Sequence, residues 1–230
     1  MYKDVYLGAV IPCYRLTYYL PLVLKSLYVN EIVVLSAGKV WDGENDCTDN
    51  TYEICAEFPR VKFIEGSWNT QADQRNEGIR RLQHCHYIFM LDSDEILLPE
   101  DQYSLIQFAK KHPEGDTYGC LIRNYFGGFS YVTGMNIDHR PVVLVKPSAR
   151  LREIRNTTGK HLSTDNIILH HLKFLQPKED VLWRCGHKGD LRDLRGIHKI
   201  DEAKDIKEYL KNNNVVIPKD LVTINDVGQV

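Results

Sequence analysis

The chain has 230 residues and a mass of 26.7 kDa, with 43% hydrophobic and 26% charged residues and a formal net charge of −2. These values match an average globular protein and exclude collagen-like, coiled-coil and disordered classes. No apolar run reaches the roughly 20 residues of a membrane span, and the first residues lack a signal-peptide pattern. We therefore expect a cytoplasmic protein with reduced cysteines, and any membrane association would be peripheral.

The first half of the chain alternates strand-like and helix-like segments. Apolar runs predict strands over residues 5–11, 32–35, 61–64 and 87–91. Apolar residues at helical spacing predict helices over residues 17–27, 48–58, 71–82 and 99–112, with Thr17 as the first N-cap. This alternation predicts βαβ units and a parallel sheet, in which ligands bind at the carboxyl ends of the strands.

The second half has a different pattern. It predicts strands over residues 119–125, 142–145 and 166–171, and its clear helix comes only at residues 200–210. We expect a mixed, partly antiparallel extension of the same sheet, so that residues 1–230 form a single α/β domain.

Three carboxylates, those of Asp92, Asp94 and Glu95, directly follow the apolar run 87–91, and Ser93 separates the first two. Carboxylates two residues apart after a buried strand can hold a hard divalent cation and, through it, a diphosphate. The structural alternative is an acidic turn that caps the following helix.

Five short motifs occur in order within the first 112 residues. They are residues 10–15 (VIPCYR), 19–27, 47–51 (CTDNT), 75–78 (RNEG) and 91–95 (LDSDE). Together they resemble the motifs of family-2-type glycosyltransferases, in the subgroup with a D-x-D-E motif. This resemblance implies a nucleotide-diphospho-sugar transferase fold of the GT-A type, with a nucleotide-sugar-binding half over residues 1–115 and an acceptor-binding half over residues 116–230.

The resemblance also implies an activity, which is metal-dependent, inverting transfer of a sugar from a nucleotide diphosphate donor to an acceptor hydroxyl. We expect a UDP-sugar as the donor. The residues carried over as nucleotide contacts are Pro12, Tyr14, Arg15, Glu44, Arg75, Asp92 and Ser93. Glu44 takes the position of the family's base-binding Asp, although Asp42 and Asp46 are close to it. Arg75 has two interpretations, since it could bind the diphosphate or brace Asp92.

A second metal ligand is predicted near residues 167–174, which resemble the family's apolar strand ending in a histidine. The better register makes His171 the partner of Asp92 and Asp94, with His170 as the fallback. Because imidazole is a good ligand for transition metals, this set favours Mn²⁺, with Mg²⁺ as the alternative. Two histidines at a strand edge without a metal are the structural alternative.

The acceptor side is less clearly marked. Residues 139–160 contain six basic residues and one acid, Glu153, which we choose as the catalytic base. His161, Asp138 and Asp165 are the other candidates, and a salt bridge with a neighbouring arginine is the structural alternative for Glu153. The basic stretch is compatible with an anionic acceptor, such as a glycan, another polymer or a nucleic acid, and the sequence does not choose among them. Three other functions stay open, namely a non-catalytic nucleotide-sugar or partner-binding module, a sugar nucleotidyltransferase of the same fold and a metal-dependent phosphohydrolase.

Overall fold

The computed structural model describes residues 4–14, 17–37, 50–133, 139–153, 155–182 and 197–221. The strands in these segments are β1 (Leu7–Cys13), β2 (Glu31–Ala37), β3 (Val61–Gly66), β4 (Tyr87–Met90), β5 (Glu95–Leu97), β6 (Thr117–Phe126), β7 (Tyr131–Thr133), β8 (Val142–Val145), β9 (His161–Phe174) and β10 (Ile197–Lys199). The helices are α1 (Leu20–Ser26), α2 (Thr51–Ala56), α3 (Gln71–Arg81), α4 (Pro99–Lys111) and α5 (Lys204–Asn212), and residues 178–182 are also helical. No helix in the described part of the chain has the length and apolar character needed to cross a membrane.

The strands form one mixed sheet in the order β10-β7-β6-β8-β4-β1-β2-β3, and β9 pairs with β5 and β6 outside this path. In the first half, β1 runs parallel to both β2 and β4, and β3 runs parallel to β2. The carboxyl ends of these four strands therefore meet at one edge, which confirms the predicted parallel half.

The second half extends the sheet with mainly antiparallel pairs. Strand β8 is antiparallel to β4 and β6, whereas the long strand β9 is parallel to β6 and antiparallel to β5. This confirms the predicted mixed extension. The sequence pattern missed β5, β7 and β10, because three residues are too few to establish a period. It also missed the start of β9, where the mostly exposed residues 161–166 give no apolar signal.

Two hydrophobic layers cover the two faces of the sheet, and successive side chains of β1 point alternately into one layer and the other. Ala9 and Ile11 pack in the layer that contains α1, α4 and α5, whereas Val10 packs in the layer beneath α3. Helix α3 approaches β1 so closely that a Cβ on Gly78 would collide with Val10. The glycine of the RNEG motif therefore lets α3 lie directly on the sheet, which positions the polar start of this helix at the carboxyl edge.

The start of α1 differs from the prediction. The helix begins at Leu20 with Tyr19 at the N-cap position and no side-chain capping bond, so Thr17 is not the cap. The Thr17 hydroxyl instead donates to Oδ1 of Asn50 at 2.8 Å, and the buried Tyr19 hydroxyl donates to the carbonyl of Leu175. The Tyr19 hydroxyl thus connects the start of this helix to the segment after β9.

Candidate functional site

The acidic turn after β4 is closed by its own last residue. The backbone N–H of Asp92 donates to Oε2 of Glu95 at 2.8 Å, and the N–H of Glu95 donates back to the carbonyl of Asp92 at 3.1 Å. Ser93, Asp94 and Glu95 are all buried. The Glu95 carboxylate therefore shapes the turn, and the sheet pairing of β5 begins at this residue.

Two arginines hold the Asp92 carboxylate. Nη2 of Arg75 lies 2.6 Å from Oδ1 of Asp92, and Nη2 of Arg155 lies 3.2 Å from the same oxygen. Burial by itself would raise the pKa of the Asp92 carboxyl, but these two guanidinium groups outweigh it and hold that pKa well below its usual range. Of the two interpretations of Arg75, the geometry matches the one in which it braces Asp92.

Arg155 is a site residue that the sequence did not single out. Its guanidinium also pairs with the buried carboxylate of Glu95, so it bridges both ends of the acidic turn. Burial would lower the pKa of Arg155, but the charges of Asp92 and Glu95 raise it further above its ordinary value. The only signal for it was its place among six basic residues, and nothing in that stretch distinguishes one arginine from another.

Asp94 meets His171 across the β5–β9 pair. Glu95 stands opposite His171 in the antiparallel register, and the backbone N–H of Leu172 donates to the carbonyl of Asp94 at 2.9 Å. As a result, Oδ1 of Asp94 lies 3.3 Å from Nε2 of His171. The other oxygen, Oδ2, accepts a hydrogen bond of 2.9 Å from Nε2 of Gln176, a second residue that no sequence signal marked.

Asn124 determines which nitrogen of the His171 imidazole carries the proton. Nδ1 of His171 is hydrogen-bonded to Oδ1 of Asn124, which can only accept, so Nδ1 carries the proton. With that proton on Nδ1, the imidazole could present the lone pair of Nε2 to a cation beside the Asp94 carboxylate. Two lone-pair atoms at this separation, one nitrogen and one oxygen, fit a shared divalent cation. Asn124 had no sequence signal beyond its place at the end of a predicted strand.

His170, the fallback ligand, points the other way, as alternation along β9 requires. Its Nδ1 is 2.7 Å from the Tyr125 hydroxyl, and the two rings stack. The imidazole is fully buried, and that burial lowers the pKa of His170 to about 4. This histidine is a neutral part of the packing between the sheet and α5.

The remaining predicted nucleotide contacts lie at the carboxyl edge of the sheet or outside the described residues. Pro12 is the second-to-last residue of β1, and Tyr14 follows that strand and is buried. Ser93 is buried in the acidic turn. Arg15 and Glu44 belong to segments that the structure does not describe.

A cavity of about 680 Å³ lies beside the acidic turn. Arg155 connects the two, because it lines the cavity and pairs with Asp92. The other lining residues of the cavity are Asn69, Thr70, Gln71, Ala72, His139, Arg152, Glu153 and Asn156. Glu153 is exposed to this space, and its Oε2 accepts a hydrogen bond of 2.6 Å from Asn156. His161 lies at the far end of β9 from His171: their β6 partners, Thr117 and Asn124, are seven residues apart, which separates the two histidines by roughly 23 Å. Asp165 pairs with Arg140. Asp138 is outside the described residues.

A Rossmann-like mixed sheet with helices around it and an acidic turn at the carboxyl end of a central strand defines the GT-A class of folds. The family model described as Glycosyl transferase family 2 matches residues 9–175, and the chain belongs to this family.

Several solved structures match part of this chain at low sequence identity. TarS from S. aureus is 17% identical with a TM-score of 0.47, and the match covers 72% of this chain and 36% of that one. Glucosyl-3-phosphoglycerate synthase from Mycobacterium tuberculosis, solved with Mn²⁺, UDP-glucose and glycerol 3-phosphate, is 13% identical with a TM-score of 0.42, covering 52% and 45% of the two chains. The bifunctional IspDF from Campylobacter jejuni is 10% identical with a TM-score of 0.44, covering 70% and 49%. The chain thus matches little more than a third of TarS.

Proposed function

We propose that this protein transfers a sugar from a nucleotide diphosphate donor, a UDP-sugar, to an acceptor hydroxyl, with a divalent cation as cofactor. Membership of the family supports the reaction class. The observation that carries the proposal is the 3.3 Å approach of Nε2 of His171 to Oδ1 of Asp94 at the carboxyl edge of the sheet. A cation beside a leaving diphosphate would neutralise the charge that develops on it, and this pair offers one nitrogen and one oxygen to hold such an ion.

The donor set of this pair favours Mn²⁺ over Mg²⁺, because an imidazole suits the transition metal better. Asp94 and His171 would hold the ion, with Gln176 and Asn124 orienting their two side chains from behind. When bound, the cation would neutralise charge on the departing diphosphate.

Around this pair, the protein supplies a fixed arrangement of charge. Asp92 is held in its ionised form by Arg75 and Arg155, so it is a constant acceptor for a ribose hydroxyl or a metal-bound water. Pro12, Tyr14 and Ser93 lie at the strand ends where the nucleotide would lie, and Arg15 and Glu44 complete the proposed set of contacts.

We place the acceptor in the cavity that Arg155 shares with the acidic turn, and we retain Glu153 as the catalytic base. Glu153 lines this cavity and has a hydrogen bond from Asn156 that orients its carboxylate. A single carboxylate that removes the proton of the acceptor hydroxyl on the face opposite the leaving group gives inversion. The arginines in the wall favour an anionic glycan or polymer over a neutral acceptor.

The test begins with donor binding, since the acceptor is not needed for it. We expect a UDP-sugar with Mn²⁺ to raise the melting temperature by several degrees, because a ligand at 100 times its Kd stabilises the folded state by about 2.7 kcal/mol. GDP- and CMP-sugars serve as matched controls. A shift with one of these and none with any UDP-sugar would reject the donor assignment.

Nucleotide release with and without candidate acceptors then separates a transferase from a binding module and from a nucleotidyltransferase. A transferase releases UDP faster when an acceptor is present. A binding module shows the melting shift without any release, and a nucleotidyltransferase forms or consumes the nucleotide sugar with pyrophosphate instead. Either of the last two results would contradict the proposed reaction.

A further inference from the structure

A second group of metal-ligand side chains lies at the opposite end of the sheet. Glu31 is the first residue of β2, and His84 and Cys85 come between α3 and β4, so all three are at the amino ends of the parallel strands. Their ligand atoms lie within 4.8 Å of one another. We propose that Glu31, His84 and Cys85 form a binding site for Zn²⁺ or a chemically similar transition metal, separate from the Asp94–His171 site.

The three ligands meet around one oxygen. Sγ of Cys85 lies 3.9 Å from Oε1 of Glu31, and Nε2 of His84 contacts the same oxygen. A tetrahedral zinc ion with its usual bond lengths would place a sulfur and an oxygen ligand about 3.6 Å apart, close to the first of these distances. The imidazole has to rotate outward to admit the ion. It can do so because the His84 side chain is 54% exposed.

The sheet leaves room for the thiol at this point. Gly8 is the partner of Glu31 in the β1–β2 register, and a Cβ on Gly8 would lie 2.9 Å from Sγ of Cys85. A larger residue in place of Gly8 would collide with this sulfur and with the side chain of Leu82. The glycine therefore keeps Cys85 within reach of Glu31.

Burial and charge also suit a cation. Glu31 and Cys85 are buried, whereas His84 and Lys62 are exposed, so an ion can enter from the solvent side. Lys62 occupies Oε2 of Glu31 at 3.0 Å and leaves Oε1 for a metal. A thiolate and a carboxylate would bring two negative charges to the ion, against one further positive charge on Lys62, and water can fill the fourth position of the tetrahedron.

The ligand types distinguish this site from the proposed catalytic one. Cysteine sulfur and histidine nitrogen select zinc-like metals, whereas Asp94 and His171 offer no sulfur. A spectroscopic signal from a metal–thiolate bond therefore reports on the Cys85 site and not on the Asp94–His171 site. This makes the inference testable whether or not the proposed glycosyltransfer is correct.

The first experiment is a titration of the full chain with Co²⁺, in wild type and in the Asp94→Asn variant. We expect one equivalent of a near-ultraviolet charge-transfer band from cobalt–thiolate bonding in both proteins. Cys85→Ser should lose the band, and Cys55→Ser, which removes a buried thiol on α2, should keep it. If no such band forms, or if Cys85→Ser keeps it at full strength, the site does not exist.

The second experiment is a melting curve with and without Zn²⁺, in which each variant is compared with its own metal-free state. Zn²⁺ should raise the melting temperature of wild type and of Asp94→Asn, since binding to the folded state stabilises it by mass action. His84→Ala should lose most of this shift, and its exposed position makes it a safe variant if Cys85→Ser folds poorly. An unchanged shift in His84→Ala would contradict the assignment, because the cluster would then be only a hydrogen-bonded ion pair.

Discussion

Oδ1 of Asp94 lies 3.3 Å from Nε2 of His171 because β5 and β9 pair in antiparallel register, with Glu95 opposite His171. The pair joins the acidic turn of the first half of the chain to the last long strand of the second half. Neither residue could make this site alone, and four of the following predictions concern the side chains that hold it in place.

Replacement of Asp94 by Asn should abolish turnover and Mn²⁺-dependent donor binding while the fold is kept. The amide has nearly the shape of the carboxylate but lacks the charge that a cation needs. Donor affinity is measured by calorimetry with Mn²⁺ and with EDTA, and Asp165→Asn, at an exposed carboxylate on β9, is the control. Wild-type turnover in EDTA or in Asp94→Asn would exclude the metal-dependent mechanism.

His171→Ala and His170→Ala should have opposite effects. The first removes a ligand whose side chain is 15% exposed at the edge of the site, so it should weaken the Mn²⁺ dependence of donor binding and cost less free energy of unfolding than the second. The second leaves a cavity and an unpaired Tyr125 hydroxyl in the core, so it should cost about 2–4 kcal/mol of stability. Urea denaturation and calorimetry on both variants check this, and the reverse pattern would move the ligand to His170.

Asn124→Ala should weaken Mn²⁺ binding about 10–100-fold, because the proton on Nδ1 of His171 loses the acceptor that keeps it there. Asn124→Asp should retain most of the affinity, since a carboxylate accepts the same proton. Nitrogen NMR of the His171 ring in the metal-free protein reports the tautomer directly, and Asn166→Ala, at an exposed position on β9, is the control. An unchanged tautomer in Asn124→Ala would show that this asparagine does not orient the ring.

Arg155→Met should lower the free energy of unfolding by about 3–5 kcal/mol, because it leaves the buried Glu95 carboxylate without its positive partner. The second change Glu95→Gln should restore part of this loss by removing the stranded charge. The control is Arg80→Met, which breaks an exposed pair with Glu77 and should have a far smaller effect. Urea unfolding of wild type, Arg155→Met, Glu95→Gln and the double variant measures the coupling, and additive losses in the double variant would mean that the pair is not coupled.

Gly78→Ala should destabilise the protein by about 1–3 kcal/mol through overpacking, since its new methyl group would meet Val10 on β1. The measurement is the urea midpoint, with Ala72→Gly on the same helix as a comparison for ordinary helix propensity. Unchanged stability would mean that α3 can shift away from the sheet without cost.

Much of the parallel half was predictable, because its information is local. Apolar runs of strand length alternate with helical periodicity, and the acidic motif follows the fourth strand directly, so β1 to β4, α3 and α4 could be located from their own residues. The RNEG and LDSDE motifs likewise indicated the family before any contact was known. The three-residue strands β5, β7 and β10 escaped, since they exist only through their pairing with distant partners.

The sequence by itself determined the class of fold and the acidic turn. It also narrowed the second ligand to two neighbouring histidines, His170 and His171. Only the tertiary structure decided that His171 faces Asp94 while His170 is buried against Tyr125, because a strand alternates its side chains and one step of register exchanges the two. It also brought in Arg155, Asn124 and Gln176, which carry no local pattern. Their positions depend on long-range pairing of β6 and β9 and on the segment after β8, and side-chain periodicity contains no information about such partners.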